Sequence, residues 1–155
     1  MKLTTRQDIE APLDFVYAQL TDFEQFERMV MRRGAEVERI DRLARPGPGM
    51  GWRLRFAYKG KPRKVVVRLL DLAQDALLDY AFDSPSVEGG GRLELIALAP
   101  RRTRMTLAVE IRPKTLAARL FLQSLRLAKG RVQRRFDKAG GKLAGLIEDR
   151  SRTVG

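Results

Sequence analysis

The sequence predicts an α+β fold: about seven strands in an antiparallel meander, two short helices after the first strand, and one long C-terminal helix. Three observations carry this. Apolar residues alternate with period two through most of residues 35–111, the period changes to 3.6 from about Thr115 onward, and residues 12–34 hold two short helical patterns. With 155 residues, 44% of them hydrophobic and 32% charged, the chain has the composition of a globular domain able to bury a core. Residues 1–155 show no repeat, no low-complexity linker and no second domain.

Residues 3–10, LTTRQDIE, alternate as a strand. Pro12 then opens a helix whose Leu13, Val16, Tyr17 and Leu20 share a face, and Asp22 is placed to cap a second, with Phe23, Phe26, Met29 and Val30 on its apolar side and Gly34 at its end. Strands follow at AEVERID, in the hairpin of residues 51–69, and at ALLDYAF, GRLELIAL and RTRMTLAVEI. Pro113 stops the last strand. Beyond it Phe121, Leu125, Ala128, Val132, Phe136, Ala139, Leu143 and Leu146 recur at steps of three or four, which predicts one unbroken amphipathic helix of about 35 residues, roughly 50 Å long.

Cysteine and histidine are both absent. This excludes disulfides, thiolate nucleophiles, zinc sites of the Cys/His type and imidazole acid–base chemistry, and no carboxylate cluster takes their place, so no metal and no cofactor is expected. Asp14, Asp22, Glu24 and Glu27 read as exposed helical residues and a cap. The glycine clusters PGPGMG (46–51) and EGGGRL (88–93) lack the continuation of a phosphate loop and read as a loop and a turn or bulge. No apolar run is long enough for a membrane span and the N-terminus has no secretory pattern, so a cytoplasmic location is expected. The net charge of +12 favours anionic partners.

The stretch IEAPLDFVYAQLTDFEQFERM, residues 9–29, resembles the opening of the START-like (SRPBCC) superfamily: a strand ending in a small residue and Pro, a helix with an aromatic and Val, then Thr-Asp-Phe starting the next helix. The order of elements is similar to that superfamily's helix-grip fold, and within it to the polyketide cyclase/dehydrase and lipid-transport group. The resemblance implies a curved sheet wrapped around the long helix, enclosing an apolar cavity for a lipid, an isoprenoid or a polyketide. It implies no fixed catalytic residue.

In that layout the apolar face of the hairpin turns inward and Arg53 and Arg55 turn outward. The expected cavity lining is Trp52, Leu54, Phe56, Tyr80, Phe82, Leu95 and Leu107 from the sheet, with Phe121 and Leu125 from the helix, and Tyr80 supplies an orienting hydroxyl. The reading is a binding or transport protein for a hydrophobic small molecule rather than an enzyme. A cofactor-free cyclase or dehydratase, in which a Tyr or Asp moves protons, is the alternative. An RNA- or ribosome-binding adaptor is a third reading, disfavoured because nucleic acid would need aromatics and arginines on one face.

Leu116, Leu120 and Leu127 lie opposite the apolar stripe of the long helix, where solvent is expected. The two short helices, a second copy of the chain in a homodimer, or transient contact with an anionic membrane surface would cover them.

Overall fold

Strand β1 (Lys2–Ile9) leads through Ala11 and Pro12 into α1 (Leu13–Leu20), and α2 (Phe23–Arg32) follows after a two-residue joint. The Asp22 carboxylate accepts the Gln25 amide N–H at 3.3 Å, capping α2 as its spacing predicts. Strands β2 (Glu36–Arg39), β3 (Gly51–Tyr58), β4 (Lys61–Ala73), β5 (Leu77–Asp83), β6 (Val87–Ala99) and β7 (Arg102–Pro113) come next, then α3 (Leu116–Leu127) and α4 (Lys129–Val154). This computed structural model describes residues 1–154.

The seven strands form one antiparallel sheet in the order β1-β7-β6-β5-β4-β3-β2, a meander whose first strand closes back onto its last. The sheet is curved, in the helix-grip arrangement, and the helices lie on its concave face. The β3–β4 hairpin turns through Lys59 and Gly60, both with positive φ, the geometry of a two-residue turn that matches strand twist. Because β2 reaches only as far as Arg55 on β3, residues 56–58 project beyond it.

The core gathers side chains of α1, α4, β1, β4, β5, β6 and β7 around Ile9, Val16, Leu69, Leu78, Met105 and Ile147, all within 1% of full burial. A fully buried polar tie is the Thr103 hydroxyl, which donates to the Ala11 carbonyl at 2.8 Å and fixes the β1–α1 corner to β7. Helix α4 packs chiefly on β1, with buried Gly140 letting it approach Thr5 and Gln7 closely.

The C-terminal segment departs from the expected single helix. It breaks at Ala128, whose amide bonds back to Leu125 in a tightened last turn before α4 restarts with Val132 N–H to Ala128 O. The cause is packing: α3 rests on β7 and α4 on β1, so the two pieces follow different strands, and Gly130 offers little helix propensity to hold them in line. The apolar stripe read across residues 121–146 is therefore not one face.

Gly89 of β6 makes room for the β7 backbone and for an aromatic ring. Gly89 pairs with Phe82 and Gly91 with Tyr80, and a Cβ at Gly89 would meet the Glu110 carbonyl and the Phe82 ring, whereas one at Gly91 would have its nearest neighbours at 3.9 Å. Gly89→Ala is therefore expected to destabilise the fold by about 1–3 kcal/mol and Gly91→Ala to be near neutral, measured by chemical denaturation. Equal effects would remove the packing account.

Candidate functional site

A cavity of about 280 Å³ opens between the middle of the sheet and the helices. Val37 of β2, Trp52 and Leu54 of β3, Val67 of β4, Tyr80 of β5 and Leu93 of β6 form its floor. Leu20 of α1, then Phe23, Phe26, Glu27 and Val30 of α2, with Leu143 of α4, form its roof. The register explains the floor: Trp52 lies opposite Val67 and Leu54 is two residues along, so one pleat face of β3 and β4 points inward. Ten of these twelve residues are hydrophobic, so the cavity favours an apolar guest.

The two others are Glu27 and Tyr80. Trp52 Nε1 donates to Glu27 Oε1 at 3.1 Å, which ties α2 to β3 across the cavity rim. The Trp52 ring also packs against Phe23, centroids 5.5 Å apart, and the Arg39 guanidinium stands 5.6 Å from its centroid. Arg39 pairs with Asp41 at 2.7 and 2.9 Å, and Asp41 also accepts the amide N–H groups of Gly51 at 2.9 Å and Leu43 at 3.0 Å. The hydrogen bond from Arg39, then that from Gly51, hold the Asp41 carboxyl well below the usual carboxylate range. Tyr80 responds to a different force: burial pushes its phenol up to about 12. It is thus a neutral donor at physiological pH, with no hydrogen bond to another described residue.

Three of the expected lining residues, Trp52, Leu54 and Tyr80, form the wall together. Six do not. Phe82 lies one row further along β5 over Gly89, half-buried, while Leu95 belongs to the core and Leu107 packs against it. Phe56, 39% exposed, sits near the hairpin tip past the end of β2. Phe121, 53% exposed, and Leu125 ride on α3, which the break at Ala128 places against β7 instead of over the cavity. Sequence reasoning missed the α2 wall, and above all Glu27, read as a solvated carboxylate. The signal was present: Phe23, Glu27 and Val30 follow i, i+4, i+7 spacing, which puts the acid on the apolar stripe. Among the described residues no group of three or more Asp or Glu side chains is placed to hold a metal ion, and no helix is long and apolar enough to cross a membrane.

A family model described as polyketide cyclase / dehydrase and lipid transport matches residues 1–148. Among solved structures, the chain is similar to the ZhuI aromatase/cyclase from Streptomyces sp. R1128, with 19% identity, TM-score 0.71, and 100% of this chain and 98% of that one covered. It is also similar to TTHA0849 from Thermus thermophilus (18% identity, TM-score 0.66, 97% and 99% covered) and to a START superfamily protein from Mycobacterium smegmatis (13%, 0.66, 99% and 99%). At these identities the structures establish the fold. No curated protein matches the chain.

The acid dependence of stability follows from Asp41. A carboxyl whose pKa is lowered on folding contributes stability that is present above its unfolded value of about 3.9 and is lost as pH falls below it, because the unfolded chain then binds the extra proton. Asp8, lowered by its hydrogen bond and pairing with Arg104, adds to the same window. Thermal melting temperatures are expected to drop below about pH 4, with a shallower drop in Asp41→Asn. An identical acid slope in wild type and variant would show that Asp41 is not a source of it.

Proposed function

The chain belongs to the polyketide cyclase / dehydrase and lipid transport family, and from that premise we propose that it binds a hydrophobic small molecule, of the lipid, isoprenoid or polyketide class, in the cavity beneath α2. The wall composition carries this reading: ten hydrophobic side chains around two polar groups placed to orient a guest. At about 280 Å³ the cavity is at the small end of ligand pockets, which run about 300–1,000 Å³, so it suits a compact ring system or one end of a longer molecule. Each Å² of apolar guest surface removed from water contributes about 25 cal/mol. Tyr80 supplies a hydroxyl donor for a carbonyl or hydroxyl oxygen of the guest, and its raised pKa keeps that proton in place. Glu27, held by Trp52, offers an acceptor on the opposite wall.

That same pair favours a second reading. In a cyclase, the apolar walls would fold a reactive chain into a near-attack geometry, Tyr80 would hydrogen-bond a carbonyl oxygen, and Glu27 would take a proton from the adjacent carbon. The Asp expected for this role has no counterpart in the wall.

Trp52 is the only tryptophan of the chain and stands in the cavity wall, so its emission reports occupancy directly. Titration with an apolar fluorophore is expected to give a saturable change in Trp52 emission, which Val67→Phe, by filling the floor without adding a second tryptophan, abolishes. Tyr80→Phe should weaken a carbonyl-bearing guest about fivefold and leave a pure hydrocarbon unaffected. No saturable change with any apolar probe, together with no small molecule released from the purified protein on denaturation, would remove the binding reading. For the second, dehydration of an added poly-β-ketone is read by mass spectrometry. Turnover lost in Glu27→Gln while binding persists would establish it, and absence of turnover leaves a binder.

A further inference from the structure

Helix α3 carries four of the exposed large hydrophobic residues among those described, and it is not part of the cavity. Leu116, Leu120 and Leu127 are 70%, 58% and 92% exposed, and at 100° per residue they fall within about 40° of one another on the helix. The buried side of the helix, Ala118 and Leu122, faces the other way. Arg119 and Arg126 lie about 80–100° to one side of the leucine strip, where long side chains can reach along the helix while their heads stay in water.

Along the chain that carries this strip, charge has one sign. Between Pro113 and Asp137 there are seven Lys or Arg residues and no acid. Among the described residues only Lys114 of these seven is in an ion pair, with Asp83, whereas Arg53, Arg102, Arg104 and Arg112 of the sheet each pair with an acid of a neighbouring strand. Strand β7 also leaves the sheet at the end where the β3–β4 hairpin turns, and that turn, KGKPRK, adds four more cations and no acid.

We infer that α3 is a docking element for an anionic lipid bilayer, lying in the interface with the three leucines among the acyl chains and the unpaired cations among the headgroups. The charge decides among occupants. A second copy of the chain would bring the same unpaired cations face to face, and a nucleic acid would use the cations but leave the leucines in water, whereas an acidic bilayer satisfies both. The docking does not depend on the cavity's ligand and is tested without one.

Co-sedimentation with phosphatidylglycerol/phosphatidylcholine vesicles, against vesicles of phosphatidylcholine alone, tests this. Binding to the acidic vesicles only is expected, falling as salt shortens the roughly 8 Å screening length, and weakening about fivefold for each cation removed in Arg119→Gln and Arg126→Gln. Leu120→Asp should weaken it about tenfold or more, while Ile96→Asp, an equally exposed apolar site at 61% on the convex sheet face, should not change it. Unchanged Trp52 emission certifies that each variant is folded. Indifference to lipid charge, full binding by folded Leu120→Asp, or a dimer in solution that Leu120→Asp dissociates in the absence of vesicle binding would each overturn the inference.

Discussion

The width of the sheet governs the rest of the structure. Seven strands at about 4.8 Å spacing span roughly 29 Å, and a helix with its side chains covers about 10–12 Å of that. Helix α4 is committed to β1 at one edge, α1 to β6 and β7, and α2 to β2 at the other edge. What lies between, the inward faces of β3, β4 and β5, has no helix packed closely along it. The cavity is this uncovered strip, and its apolar character follows from the same alternation that builds the core two strands away.

An open strip of apolar sheet needs something to hold its roof at a fixed height, and Trp52 does this. Its indole bonds to Glu27 of α2, packs at a tilt against Phe23 of the same helix and receives Arg39 from β2, while Arg39 is itself held by Asp41. Asp41 then ties both ends of the 42–50 loop to one carboxylate. A chain of polar contacts thus runs from a surface loop to the cavity rim, every member satisfied, which is the condition under which partly buried polar groups fix geometry instead of costing stability.

Most of the fold was legible because its signals are local. Period two marks the strands, Asp22 and Gln25 mark a cap, and Pro113 marks an end. The candidate site was legible only where one strand supplied it: Trp52 and Leu54 follow from the pleat of β3, and Tyr80 from that of β5. The helical lining was not, for two reasons. The joint at Ala128 depends on α3 and α4 choosing different strands, a tertiary choice that leaves the 3.6-residue period of each piece intact. Glu27 sits on an apolar stripe, but only the presence of the Trp52 N–H explains why an acid is tolerated there.

The short β2 strand bears on how copies of this protein behave toward one another. Past Arg55, strand β3 has a neighbour on one side only, so Phe56, Ala57 and Tyr58 offer a stretch of backbone to any passing strand, with two aromatic side chains to favour the pairing. Such an edge invites intermolecular strand addition. Here Arg55, Lys59, Lys61 and Arg63 stand around it, and a second copy would have to bring the same cations into register with them. The hairpin therefore carries its own colloidal protection, one that works by long-range repulsion and is weakened by every ion that screens it.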